Sequence, residues 1–154
     1  MNSQSERLLD NIGRKILAVL QENARTPLSR IGQRVGLSAP AVAERVRKLE
    51  EAGIIRGYHV RVDPTAIGRG VNAFIQLTTE ARHYPAVKSL AARLPEIMAC
   101  HHVSGEASFI LNVCAADVAD LEAVVARLSN YGQTRTSIVL STSVEKTAVV
   151  SLGS

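Results

Sequence analysis

Apolar residues in the first 60 positions recur every three or four residues, which is the spacing of short helices that each bury one face. Asp10 precedes the first of these stripes and can act as a helix N-cap. The pattern predicts three short helices around one small core. Their apolar stripes are Ile12-Ile16-Leu20, Leu28-Ile31-Val35 and Val42-Val46-Leu49.

The residues between the second and third stripes predict a tight turn. Gly36 can adopt a positive φ without a Cβ clash, so it can end one helix and redirect the chain. Ser38 is a good N-cap for the next helix, and Pro40 falls in the first turn, where a missing N–H has no cost. Two helices joined in this way predict a helix-turn-helix.

The segment that follows the third helix predicts a short β-hairpin wing. Gly53 ends the helix, and residues 54–61, IIRGYHVR, alternate loosely around a glycine. Residues 1–62 are therefore predicted to form a winged helix-turn-helix domain.

The pattern changes after a linker at residues 63–70, where Asp-Pro and Gly-Arg-Gly favour turns. Strands and helices then alternate in the order βαββαβ, which is that of a ferredoxin-like sandwich. The predicted strands are residues 71–79, 97–103, 108–115 and 133–143, and the helices are residues 84–93 and 117–128. The fold class is α+β, with a second domain at residues 71–154. We expect its tail, residues 144–154, to be extended or to pack on a neighbour.

The predicted sheet carries apolar side chains on both faces, since Phe74 is followed by Ile75, Ile110 by Leu111, and residues 138–140 are all apolar. Two helices cover one face of a four-stranded sheet, so the other face needs a partner. We therefore expect a sheet-to-sheet homodimer.

The positive charge of the chain lies in its first part. The net charge is +4, and 46% hydrophobic with 21% charged residues is typical of a folded protein. Residues 1–62 hold eleven Lys/Arg and six Asp/Glu, a net charge of +5, whereas residues 63–154 hold seven and eight, a net charge of −1. A cationic footprint on the helix-turn-helix alone favours binding to double-stranded DNA. Aromatic residues total 3%, which argues against stacking on single-stranded nucleic acid.

The third helix has the composition of a helix that enters the DNA major groove. It begins with small side chains and carries cations further along, which suits a groove about 12 Å wide. A plain helical hairpin with a solvated charged face is the alternative. The candidate DNA-binding residues are Ser38, Pro40, Ala41, Arg45, Arg47 and Lys48, with Arg56 and Arg61 of the wing.

Several short motifs, in order along almost the whole chain, resemble the Lrp/AsnC family of transcription regulators. In the first part these are GLS at 36–38, ERV at 44–46, Leu49-Glu50 and GII at 53–55; Leu9-Asp10 with Ile16-Leu17 is similar to the family's opening helix. CHHVSG at 100–105 and TRT at 134–136 resemble its effector hairpin and last strand. The resemblance implies a DNA-binding regulator that forms dimers, often octamers, and binds an amino acid or related metabolite between subunits.

The loop at residues 104–108 is the candidate effector site. Gly105 exposes backbone amides that can hold a carboxylate, and the resemblance implies acidic side chains that meet an ammonium group. This chain has Glu106 where Asp is usual, and Ala107 and Ser108 where an aromatic residue and Asp are common, so a hairpin without a ligand stays open as the alternative. The candidate residues are Ser104, Gly105, Glu106 and Ser108, with Thr134, Thr136 and Ser137 of a neighbouring subunit.

No catalytic, cofactor or metal site is expected. Strand alternation sends His101 to the opposite face from Cys100 and His102, so these three cannot converge on a metal. Cys100 and Cys114 lie on adjacent predicted strands as buried thiols. The sequence contains no phosphate loop, nucleophile elbow or carboxylate pair, and neither a signal peptide nor a membrane-length apolar run, so a cytoplasmic protein that is not an enzyme is expected.

The sequence therefore predicts a ligand-responsive, sequence-specific DNA-binding regulator. Two alternatives remain. One is a ligand-independent, chromatin-organising DNA-binding protein, and the other is a stand-alone amino-acid-binding module.

Overall fold

Three complete helices form within residues 7–60, as the three apolar stripes predicted. The structure is a computed structural model that describes residues 7–145, so most of the predicted tail lies outside the described residues. The chain divides into two compact units, one that extends to Val60 and a second that spans Arg61–Ser143. The helices are α1, Asn11–Glu22; α2, Leu28–Val35; and α3, Ala39–Glu51.

The core of the first unit forms from one face of each helix. Ile16 of α1, Ile31 of α2, and Val42 and Leu49 of α3 are almost completely buried. Asp10 is the N-cap of α1, and its Oδ1 accepts a hydrogen bond of 2.7 Å from the amide of Gly13. Both the helical periods and this cap confirm the sequence-based prediction.

The turn between α2 and α3 is as tight as the sequence indicated. Gly36 has a φ of 74°, and the Leu37 amide donates to the Gly32 carbonyl at 3.0 Å. The Ser38 hydroxyl caps α3 by accepting from the Ala41 amide at 3.4 Å. A Cβ on Gly32 would lie 2.3 Å from the Leu37 carbonyl oxygen, so the turn packs directly on the backbone of α2.

The predicted β-hairpin wing is wrong for this chain, because residues 54–61 contain no strand. The amides of Ile54 and Ile55 both donate to the Leu49 carbonyl, at 2.9 and 3.1 Å, and so they complete the end of α3. The six residues that remain before residue 62 are too few to form two paired strands, since each strand needs a neighbour for its backbone groups. The segment instead runs exposed, without regular structure, to a 3₁₀ turn at Thr65–Ile67.

The second unit has the predicted βαββαβ order. Its sheet is antiparallel with the strand order β2-β3-β1-β4, which is the ferredoxin-like arrangement. Among residues 7–145, no helix combines the length and apolar character needed to cross a membrane. The elements are β1, Val71–Thr78; α4, Tyr84–Arg93; β2, Ile97–His102; β3, Phe109–Ala115; α5, Val118–Ser129; and β4, Gln133–Ile138.

The last strand ends five residues earlier than predicted. Ile138 is paired with Ala73, and the Val139 amide donates to the Asn72 carbonyl at 2.8 Å. Because β1 begins at Val71, the residues that follow have no partner strand among residues 7–145, and Leu140 is 95% exposed.

The two faces of the sheet differ in polarity. Alternate residues of β1 and β3, such as Ile75 and Leu111, are buried with α4 and α5 in one core. The open face carries Phe74, which is 45% exposed, and Ile110, but register also places Gln76, Asn112 and Arg135 there. The open face is therefore mixed rather than apolar, and Ile138 lies on the other side, opposite Ala73.

The packing of the turn on Gly32 generates a prediction. Gly32→Ala should lower the free energy of unfolding, because forcing the Leu37 carbonyl away from the new methyl group costs about 1–3 kcal/mol. This loss outweighs the gain of about 1 kcal/mol in helix propensity. Urea titration followed by far-ultraviolet circular dichroism measures the change.

Gly70→Ala is the matched control, since no heavy atom lies within 4 Å of a Cβ built at that position. Its effect should stay within about 0.5 kcal/mol of wild type. A Gly32→Ala protein as stable as the wild type would show that the turn is not held against α2.

Candidate functional site

Helix α3 presents one charged face to solvent. Val42, Val46 and Leu49 are buried, and the residues half a turn away from them are exposed. Ser38 is exposed at the N-terminus of the helix, and Ala41 is half-buried beside it. The exposed face carries Pro40, Glu44, Arg47, Lys48 and Glu51.

The cations on this face are paired with carboxylates of the same helix. The Arg47 guanidinium donates to both oxygens of Glu44, at 2.7 and 3.0 Å, and also to Glu51. Lys48 Nζ lies 3.3 Å from Glu44. The hydrogen bond from Arg47 is the main cause that lowers the pKa of Glu44. The exposed face is therefore close to neutral, which the i,i+3 and i,i+4 spacing of these residues could have indicated.

Arg45 lies on a different flank of α3 from Arg47 and Lys48. Its two terminal nitrogens donate to the two carboxylate oxygens of Asp10, at 2.9 and 3.0 Å. The Arg45 and Asp10 side chains are 32% and 41% exposed. The hydrogen bond from Arg45, followed by that from the Gly13 amide, lowers the pKa of Asp10. The local sequence pattern does not predict this pair, because its members are 35 residues apart.

The two arginines predicted for the wing lie on an exposed segment without strands. Arg56 belongs to the first unit and Arg61 opens the second. Arg56 makes no ion pair with the described residues, and the same holds for Lys15, Arg25 and Arg30. The unpaired Arg30 of α2 was not among the sequence-predicted residues.

The loop between β2 and β3 is fastened to the end of β1. The Ser108 hydroxyl accepts from the Thr79 amide at 3.1 Å and donates to the Thr79 carbonyl at 2.9 Å. The Thr78 hydroxyl donates to the Glu106 carbonyl at 3.2 Å. Because its one proton is used in this way, Ser108 holds the loop in place rather than offering a free donor. Gly105 has a φ of 115°, a conformation that favours glycine.

An open depression of about 650 Å³ lies beside this loop. It includes Gln76 and Ile110, which belong to the open face of the sheet, so the loop and that face form one surface. Among the residues that line this depression, Glu106 carries the carboxylate. The other lining residues are His102, Val103, Ser104 and Ala107.

The three hydroxyl residues predicted from β4 do not share a face. Thr134 is opposite Leu77 and Thr136 is opposite Ile75, on the helix-covered side, and the Thr134 hydroxyl lies 3.1 Å from that of Ser129. Ser137 is opposite Phe74, on the open face.

Arg135 was not among the sequence-predicted site residues, although it lies in the TRT motif. It is opposite Gln76, on the open face. Strand alternation separates it from the threonines on either side, and this signal was present in the sequence.

The Cys-His-His segment divides as predicted. Cys100 and His102 face the helices, where His102 lies edge-on to Tyr84 with ring centres 4.9 Å apart, while His101 is opposite Ile110 on the open face. Among residues 7–145, no three His, Cys, Asp or Glu side chains are grouped to hold a metal ion.

The two cysteines lie on adjacent strands, as predicted, but on opposite faces of the sheet. Cys100 is half-buried opposite Leu111, and burial raises the pKa of its thiol. Cys114 is opposite Asn72, on the other side of the sheet, and its Sγ lies 3.6 Å from the Arg69 carbonyl. Both thiols are free.

Comparison with known proteins places both parts of the chain in one family. Residues 9–50 match the AsnC-type helix-turn-helix domain, and residues 72–149 match the Lrp/AsnC ligand binding domain. Together these ranges cover most of the 154 residues.

Individual relatives agree. The chain is 36% identical over 140 residues to the HTH-type transcriptional regulator AldR of Mycolicibacterium smegmatis, which covers 86% of this chain and 82% of AldR. The structure of Bacillus subtilis LrpC has a TM-score of 0.85 at 33% identity and covers 90% of this chain and 99% of LrpC. The structure of Rv3291c from M. tuberculosis complexed with L-methionine has a TM-score of 0.84 at 32% identity, and the match covers 93% of this chain and 99% of Rv3291c. The chain therefore belongs to the Lrp/AsnC family of transcriptional regulators.

Proposed function

We propose that this protein is a cytoplasmic, sequence-specific DNA-binding transcription regulator, without catalytic activity, whose binding responds to an amino acid or related small metabolite. The helix-turn-helix supports this function most directly. Its turn is closed by Gly36 and Ser38, and α3 exposes a slim N-terminus followed by charged side chains.

In this proposal, α3 enters the major groove, and basic residues that make no ion pair contact the backbone. Ser38, Pro40 and Ala41 lead into the groove, where small apolar groups can meet thymine methyl groups. Arg47 and Lys48 contact DNA only if they leave or share Glu44. The unpaired Arg56 and Arg30 reach phosphates without such a cost, and Arg61 lies on the same exposed segment as Arg56.

A homodimer formed through the open sheet face gives the two-fold symmetry that paired recognition helices require. Phe74 and Ile110 supply apolar area, and the polar side chains around them, such as Gln76, Asn112 and Arg135, set the register of the contact. From the resemblance to the family, we expect the dimers to assemble further into octamers.

The effector binds at the loop of residues 104–108, in the depression that joins the open face. Glu106 pairs with an ammonium group, the backbone around Ser104 and Gly105 holds a carboxylate, and Ser137, which lies on the open face, contributes from a neighbouring subunit. Thr134 and Thr136 lie on the helix-covered side and are not part of this site. The L-methionine complex of the related M. tuberculosis protein supports this class of ligand. An effector that prefers one assembly over another shifts the spacing of the DNA-binding units.

A ligand-independent, chromatin-organising DNA-binding protein is the second candidate. The hydrogen bonds between the Ser108 hydroxyl and the Thr79 backbone favour this candidate. They leave the loop with one acidic side chain and one fewer polar group for a ligand. A stand-alone amino-acid-binding module is the third, and the +5 charge of residues 1–62 counts against it.

The Glu44 ion pairs generate a prediction about DNA affinity. Glu44→Gln should raise affinity for a non-specific duplex, because it frees Lys48 and weakens the hold on Arg47. The slope of log K against log salt should steepen by about 0.9 for each cation that reaches a phosphate. Fluorescence anisotropy with a labelled duplex over a salt series measures both quantities.

Glu122→Gln is the matched control, because it makes the same charge change at an exposed position of α5. It should leave the slope unchanged. If Glu44→Gln and Glu122→Gln give the same affinity and slope, then Arg47 and Lys48 do not reach the DNA.

The effector site generates a second prediction. L-Methionine, or another of the twenty amino acids, should raise the melting temperature of the wild-type protein and change its mass by light scattering. At a hundred times its dissociation constant, a ligand adds about 2.7 kcal/mol of apparent stability. Glu106→Gln should remove the shift because it removes the charge that meets the ammonium group.

Glu122→Gln again serves as the control and should retain the shift. If no amino acid changes the melting temperature of the wild type, the ligand-independent function is favoured.

A further inference from the structure

One ion pair joins the recognition helix α3 to the start of α1. Arg45 and Asp10 meet through two nearly parallel hydrogen bonds of 2.9 and 3.0 Å. Oδ1 of Asp10 also accepts the 2.7 Å bond from the Gly13 amide, so this carboxylate is held by the first turn of α1. Arg45 therefore connects the middle of α3 to a fixed point on another helix.

The geometry of this pair restrains the rotation of α3. Burial of Val42, Val46 and Leu49 decides which side of the helix faces the core, but apolar contacts are not directional. A planar guanidinium that binds both oxygens of a carboxylate fixes orientation as well as distance. The pair thus adds a directional restraint to the apolar packing.

Arg45 is also poorly placed to touch DNA in this arrangement. It lies about 100° around the helix from Glu44, in the direction of the buried stripe and away from the face that carries Pro40 and Arg47. Its side chain is 32% exposed, and both terminal nitrogens are used by Asp10. The Asp10 carboxylate also offsets the charge of Arg45, so a phosphate would have to compete with it for the guanidinium.

We propose that Arg45 is a positioning residue, which sets the orientation of α3 through Asp10 and does not itself neutralise a phosphate. The inference rests on the proposed DNA-binding function and assigns a different role to one of its candidate contacts. Arg45 then governs how well α3 fits a specific site, while affinity for any duplex comes from other cations.

The test compares Arg45→Gln, Asp10→Asn and the double variant on two probes. One is a duplex selected by the wild-type protein from a randomised pool, and the other is a scrambled duplex of the same length. Asparagine keeps an acceptor for the Gly13 amide, so Asp10→Asn removes the ion pair and retains the cap. Binding is measured over a salt series, well below the melting temperature of each variant.

Each single variant should lose roughly tenfold in affinity for the selected duplex, which is the scale of a lost charged hydrogen bond. The double variant should lose no more than either single one, because both act through the same pair. Affinity for the scrambled duplex and the salt slope should stay at their wild-type values. A purely stabilising role would lower the melting temperature but would not change the ratio of the two affinities.

Two further variants keep the test decisive. Arg45→Lys retains the charge but not the paired bonds, so it should lose affinity for the selected duplex even though it could still meet a phosphate. Arg34→Gln removes the exposed 3.1 Å pair with Glu22, which links α2 to α1 without involving α3, and it should bind both probes like the wild type.

The inference is overturned if Arg45→Gln lowers the salt slope by about 0.9 while Asp10→Asn binds like the wild type, because Arg45 would then contact a phosphate directly. Retained affinity in Arg45→Lys points to the same conclusion. A wild-type protein that shows no preference for any selected duplex would instead overturn the DNA-binding function on which the inference rests.

Discussion

The burial of one face of α3 against α1 and α2 is the constraint on which the DNA-reading surface depends. Burial of Val42, Val46 and Leu49 decides which side of the helix faces the core, and the turn that packs on Gly32 fixes where the helix begins. Once this rotation is set, the same 3.6-residue period sends Pro40, Glu44 and Arg47 outward and brings Arg45 to the flank. Core packing therefore decides which side chains a groove can meet.

The basic side chains of the first unit have different roles, which depend on the carboxylates with which they pair. A count of Lys and Arg treats all of them alike, but Arg47 and Lys48 share carboxylates within α3, while Arg45 spans two helices. Exposed ion pairs of this kind contribute little stability. These pairs do reduce the positive electrostatic potential that a DNA backbone meets. Arginines without an ion pair, such as Arg56, can contact a phosphate without breaking an existing pair.

In the second unit, one face of the sheet forms the core with the helices and the other face is open. The helices cover one face and leave the other with a mixture of apolar and polar side chains, next to the loop that is fastened by Ser108. Because the open face and the loop form one surface, a partner on that face and a ligand at the loop would affect each other directly. In the proposed function, this arrangement would link assembly to sensing without a long-range pathway.

The sequence alone determined the features that depend on nearby residues, because periodicity and caps act over a few positions. These are the helical stripes, the caps at Asp10 and Ser38, the turn at Gly36 and the order of strands and helices along the chain. Tertiary structure decided what depends on residues far apart. Asp10 meets Arg45 across 35 residues, and Ser108 meets Thr79 across 29. The wing failed as a prediction because strand propensity is local, whereas a strand forms only where a second one lies beside it.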